Sequence, residues 1–360
     1  MKFFLRQRSL IAALAAMTLC LGAASPARAD EAVNRGVNFL LGKQLADGSW
    51  GADTSFTGLA VRALLESGIK ESHSAVAKAI QYLLSHQQPD GGIYIKERGL
   101  ANYSTSICII ALKATGNSSH GEAVRKALQF TLGGQMDEKN NVKKDNPFYG
   151  GAGYGSKESK SDMSNSHFML EAWKAAGLSE SDPAWERAVV FLDRCQNRKA
   201  SNDQPYAGDD GGFVYSPVES KAGELQLPDG RKGLRSYASM TYAGLLSFIY
   251  ANVKRDDPRV QAAYEWLKKN YSLDENPGIG AQGLFYYYHT MAKALDVYGG
   301  EVFVDSRGTA HQWRQELRSK LVSQQAPDGS WTNSNSRWME NDPVLVTAYS
   351  LLALARTNKT

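Results

Sequence analysis

The stretch QQAPDGSWTN, Gln324 to Asn333, sets glutamine, an Asp-Gly turn and tryptophan in a row behind an amphipathic segment. Near-copies recur as KQLADGSWG (Lys43 to Gly51), QQPDGGIY (Gln87 to Tyr94) and DDGGFVY (Asp209 to Tyr215). The segments before these turns carry apolar residues at helical spacing: Val33, Val37, Leu40, Leu41 and Gln44, then Val76, Ile80, Leu83, Leu84 and Gln87. The same stripe appears through Val124–Gln135, Trp185–Gln196, Val260–Tyr271 and Trp313–Gln324, each with a polar opposite face. That pattern predicts six amphipathic outer helices.

A more apolar segment follows each turn, starting at Thr54, Ser104, Ser164, Ser239, Gly283 and Val344. Several open on Ser, Thr or Asp and stop at Gly, as helix caps do. No strand run competes. One helix pair cannot bury its own apolar face, so pairs must stack. The sequence therefore predicts an all-α fold, an (α/α)6 toroid of six outer and six inner helices, with an open superhelix as the alternative. In this frame the glutamine closes the outer helix on its buried side and bonds chain-end groups. Asp-Gly makes the turn, and the aromatic covers it. Gln44, Trp50, Gln87, Tyr94, Gln324 and Trp331 are read as structural.

The N-terminus reads differently. Lys2, Arg6 and Arg8 precede an apolar run from Leu10 to Ala24 and a small-x-small site at Ala27-Arg28-Ala29. This is the pattern of a secretory leader over residues 1–29, with residues 30–360 forming one toroid domain in the periplasm or outside the cell. The run is short for a membrane span. The chain has 41 Lys and Arg against 37 Asp and Glu; without the leader's four bases the two balance at 37 each. That balance offers nucleic acid no basic patch. Cys108 and Cys195 fall inside helical patterns and read as buried thiols, their pairing left open.

At the Gln-Trp turns the chain resembles the prenyltransferase/squalene-oxidase repeat family, which includes squalene–hopene cyclases and protein prenyltransferase β subunits. The pattern spans the whole chain after the leader. It is strongest from GLFYYYHTMAKAL (Gly283 to Leu295) through HQWRQEL to the final apolar helix. The resemblance implies a central cavity that takes an isoprenoid chain, with active groups at the inner-helix N-termini. The family's Asp-x-Asp-Asp acid is not found: the comparable segments read ANYSTS (101–106), SDMSNS (161–166) and ENDPVLVT (340–347). The prenyltransferase zinc site is not found either, because Asp193-Arg194-Cys195 ends an outer helix. No metal and no cofactor is expected.

The candidate acids and bases are Asp162, His167, His289, Glu340 and Asp342. Tyr286 and His289 stand at i, i+3 on one aromatic helix, where a phenol and an imidazole could exchange a proton. Two Gly- and Pro-rich insertions, 136–161 and 197–235, follow outer helices and should lie where inner helices begin. Loops of that length are commonly functional. Tyr149, Tyr154, Phe213 and Tyr215 from these loops, with Tyr286 and Tyr287, are the expected ligand contacts. The first expectation is an apolar, isoprenoid-like ligand in the lumen, with or without cyclase or isomerase chemistry. The alternatives are a non-catalytic scaffold that binds a protein at one rim and a carbohydrate-active toroid enzyme.

Overall fold

The computed structural model describes residues 26–155 and 160–358. Residues 1–25, most of the expected leader, lie outside them. Six outer helices are α1 (Pro26–Lys43), α3 (Ser74–Ser85), α5 (Gly121–Gly133), α7 (Pro183–Cys195), α9 (Pro258–Lys269) and α11 (Trp313–Gln324). Six inner helices alternate with them: α2 (Thr54–Glu66), α4 (Ala101–Ala114), α6 (Met163–Ala176), α8 (Ala238–Tyr250), α10 (Leu284–Tyr298) and α12 (Pro343–Thr357). Each inner helix packs on the next, and α12 packs on α2, so the inner ring closes. The open superhelix is thereby excluded. Two short antiparallel hairpins, β1 (Glu224–Gln226) with β2 (Lys232–Leu234) and β3 (Phe303–Val304) with β4 (Ala310–His311), are additions the sequence reading did not contain.

The Gln-Asp-Gly turn proves to be a suture between neighbouring outer helices. Gln44 Nε2 donates to Gly48 O in its own turn (2.9 Å) and to Ala75 O at the start of α3 (2.7 Å). Gln87 repeats this with Gly91 and Ala123, Gln135 with Gly150 and Ala184, and Gln196 with Gly211 and Arg259. The last stitch uses Gln325, not Gln324: its amide bonds Gly329 O and Ala32 O, tying α11 to α1. The sixth junction has no such glutamine. There the Tyr271 hydroxyl donates to Glu316 of α11 at 2.9 Å.

The glycine of the turn is needed twice over. Gly48 and Gly329 have φ near +90°, and a Cβ on either would stand within 2.7 Å of the carbonyl oxygen of Lys78 or Arg35 on the next helix. Only glycine permits both the left-handed backbone and that approach. The aromatic then tucks inward. Trp50 Nε1 donates to Leu40 O and Trp331 Nε1 to Leu321 O, filling carbonyls left open near the outer-helix ends. The backbone N–H of each bonds a threonine of the following inner helix, Thr57 or Thr347.

Two expectations are corrected by this repeat. Tyr94 does not match Trp50: Ile93 occupies the buried position, its N–H on Thr105 Oγ1, while Tyr94 bonds Asp90 on the surface. Phe213 does match Trp50. It is fully buried, with its N–H on Thr241 Oγ1, so it is a structural plug and not a rim contact. Cys108 and Cys195 are both buried and unpaired. No described helix is long and apolar enough to cross a membrane.

Candidate functional site

The first two turns of the inner helices surround a cavity of about 240 Å³. Ser55 and Phe56 reach it from α2, Tyr103 from α4, Ser164 and Phe168 from α6, Ser239 and Met240 from α8, Tyr286 from α10, and Leu345 and Tyr349 from α12. The insertions add Tyr154 and Tyr215, the residue that opens α8 adds Tyr237, and the segment before α12 adds Trp338, Met339 and Glu340. Both long insertions therefore deliver aromatics to the end where inner helices begin, as their position in the sequence implied. Five rings run as a continuous wall, Tyr154–Tyr103–Phe168–Tyr286–Tyr349, with neighbouring centroids 5.4–6.2 Å apart. Among the described residues no Lys, Arg or His lines the cavity. The Ser55 hydroxyl, buried on the wall, has no hydrogen-bond partner.

Trp338 and Met339 stand at the mouth, both partly exposed and both in the left-handed backbone region (φ 55° and 63°). For residues with a Cβ this costs about 1 kcal/mol or more each. The segment is pinned from both sides. Asn333 N–H donates to Glu340 O, and Asn333 Nδ2 to the Glu340 carboxylate and Ala281 O. The other Glu340 oxygen accepts the Tyr286 N–H at 2.8 Å. Glu340 thus caps α10, whose preceding Gly283 has no side chain to do so.

The five candidate acids and bases separate. Asp162 caps α6, its carboxylate accepting Asn165 N–H (3.0 Å) and Asn165 Nδ2 (2.7 Å). Burial pushes its carboxyl up to about 6, against those bonds and the Tyr215 hydroxyl, which lies on it from the cavity wall. Glu340 lines the cavity, and burial raises it against the bonds from Asn333 and the α10 N–H groups. Asp342 does not face the cavity; it caps α12 through Val344 and Leu345 N–H. His167 and His289 lie deeper, behind Phe168 and Tyr349. Of the expected ligand contacts, Tyr154, Tyr215 and Tyr286 line the cavity. Tyr149 instead bonds Glu138 at 2.9 Å, and Tyr287 donates to Ser272 O and packs on Tyr242. Tyr103, Tyr237, Tyr349 and Trp338 were missed. The first and third stand in the opening turns of inner helices, a repeat position that could have named them.

The lumen is not apolar throughout. Below the aromatic wall, Arg62 of α2 bonds Glu171 of α6 at 2.8 Å, and Lys293 of α10 pairs with the same carboxylate. These three helices are not neighbours in the ring, so their side chains meet on its axis. Glu66, Arg356 and Asp296 extend the network at 2.8–3.7 Å. His167 bonds Ser247 Oγ (3.1 Å), and burial lowers it to about 4, so it is neutral. Burial also lowers His289, helped by the charges of Arg62 and Lys293. Burial opposes charge on Glu171, but Lys293 and Arg62 outweigh it and hold the carboxylate well below its usual range. Neither histidine lines the cavity. The ionic knot closes the inner half of the hole, and the outer half remains open. No cluster of metal-ligating side chains occurs among the described residues.

Residues 54–215, α2 through the second insertion, match the family described as Squalene-hopene cyclase C-terminal domain. The matched region is the first half of the chain, whereas the repeat pattern is strongest by eye in the last third. Among solved structures, the type II terpene cyclase MstE from Scytonema aligns over 91% of this chain and 98% of its own, with TM-score 0.59 and 13% identity. A variant of that cyclase was solved with geranylgeranyl dihydroxybenzoate, named as its substrate, and aligns with 13% identity and TM-score 0.59 over 92% of this chain and 97% of its own. An unsaturated glucuronyl hydrolase specific for heparin aligns over 92% and 97% with TM-score 0.57 and 12% identity. No curated protein matches. The squalene-cyclase-like resemblance and the terpenoid-cyclase α/α toroid are thus shown, while identities this low speak for the fold alone.

Proposed function

We propose that this chain is an exported toroid that holds an apolar, isoprenoid-type ligand in the cavity at its inner-helix N-termini. The observation that carries the reading is the aromatic wall with no described basic side chain on it. A sugar-acid enzyme on the same scaffold needs cations for its substrate's carboxylates and a pair of acids at the bond it breaks. Here Glu340 and Asp342 are engaged as helix caps and point to different helices. The cavity equals about eight liquid-water volumes. It therefore takes roughly eight heavy atoms with the mouth as it stands. A longer chain extends past Trp338 and Met339, since the ionic knot stops it going deeper.

The site supports binding more than proton-initiated cyclisation. Protonating an isolated double bond takes an unusually strong carboxylic acid, prepared by neighbouring groups. Asp162 has moved the other way, to about 6, and no second carboxyl stands beside it. It could return a proton to an enol-type or other activated ligand through Tyr215. Mass spectrometry of organic extracts from protein purified without detergent tests the reading. A stoichiometric isoprenoid that is absent after Tyr286→Arg is the expected result. Empty protein that also binds no added prenyl alcohol would end it. Export is tested by the N-terminal sequence of the protein recovered from the periplasm or medium, expected to begin near Asp30.

A further inference from the structure

We propose that the occupant of this cavity carries a positive charge, an ammonium group on an apolar body. The inference rests on the apolar-ligand reading above and adds the chemistry of the ligand's head. Six inner helices aim their N-termini at this end of the toroid, each worth about +0.5 of a charge. Taken alone, that would favour an anion. At each of these ends, however, an acceptor already takes a first-turn N–H group. Asp53 accepts Ser55 N–H, Asp162 accepts Asn165 N–H, Glu340 accepts Tyr286 N–H and Asp342 accepts Val344 N–H. The two remaining ends are closed by neutral acceptors, Tyr154 O for α4 and Asn276 Oδ1 for α8.

Four carboxyl groups therefore stand against the six helix ends and offset their dipoles. An anion would find no described Lys, Arg or His on the lining itself. A cation finds ring faces instead. Tyr103, Tyr154, Tyr286 and Tyr349 form most of the continuous wall, while Trp338 at the mouth already carries the Arg337 guanidinium over its ring at 4.6 Å. Aromatic rings attract ammonium groups by about 0.5–2 kcal/mol each when water is excluded. The unpartnered hydroxyl oxygen of Ser55 offers an acceptor to a protonated amine.

The test compares three probes of equal size on the intact protein. Hexyltrimethylammonium and its carbon isostere 2,2-dimethyloctane differ only in the charge of the head, and octanoate puts a planar anionic head on a tail of similar length. Calorimetry reads the two charged probes, and headspace partitioning reads the hydrocarbon. The expected order is ammonium, then hydrocarbon, then octanoate, with the ammonium bound at least about tenfold more tightly than the hydrocarbon. The preference should shrink several-fold in Glu340→Gln and Asp162→Asn, each checked for a native helical spectrum. Hydrocarbon binding as tight as the ammonium overturns the charge proposal and leaves the apolar-ligand reading standing. Octanoate binding tightest overturns it as well. Failure of all three probes to bind overturns both.

Discussion

Asp162→Asn offers a quantitative check on the site. In the folded protein burial moves this carboxyl from 3.8 to about 6. Between those values the folded state holds a proton that the unfolded chain has released, so stability falls as pH rises. At about 1.4 kcal/mol per tenfold, the full cost of ionising it in place is about 3 kcal/mol. This is present above pH ~6.5 and absent below ~3.8. The asparagine variant has nothing to ionise. It retains an oxygen for the Asn165 N–H, and its new amide N–H₂ can face Asn165 Oδ1, an atom with no partner in the native protein. Urea unfolding of both proteins at about pH 4.5 and 7.5 should therefore show the variant's advantage growing by about 2 kcal/mol between the two. A difference independent of pH, or a variant that loses stability more at the higher pH, would show that Asp162 ionises freely and that its burial has been misread. An increase confined to stability, with ligand retention lost, would mark this carboxyl as kept for function against folding.

Gln135→Ala leaves Gly150 O and Ala184 O without their donor at a fully buried suture, and should cost about 2–4 kcal/mol in chemical denaturation. Glu171→Gln removes the anion shared by Arg62 and Lys293 and should destabilise by about 3–5 kcal/mol; a smaller loss would mean that water reaches the knot. Met339→Asn replaces a strained left-handed residue with one that tolerates the conformation. It should raise the thermal midpoint by the equivalent of up to about 1 kcal/mol while loosening the cavity mouth, read as faster release of a bound prenyl alcohol.

The helices were legible because each of the twelve segments carries its own period. Val76, Ile80 and Leu83 form a buried stripe by spacing alone, and α3 follows. The sutures were half legible. QPDG and QAPDG announced a glutamine and a tight turn, but which of two adjacent glutamines does the bonding depends on the helix's last φ and ψ. Gln325 was therefore mistaken for its neighbour. Among site residues, Tyr154, Tyr215, Tyr286 and Glu340 were named, while Phe213 was placed on the rim. Its motif DDGGF is the same suture as DGSW, and the register of that repeat would have shown it.

Local spacing along the chain determined that there are rods, where the turns between them fall, and that glycine must stand in those turns. The contents of the hole were decided by which inner helices face each other across it. Arg62, Glu171 and Lys293 are more than a hundred residues apart in sequence, and each reads alone as a polar residue on an apolar helix. Ring closure brings α2, α6 and α10 to one axis, where three charges out of water can persist only together. The aromatic pocket above them exists for the same reason: helices from all sides converge, and their side chains stop short of filling the space.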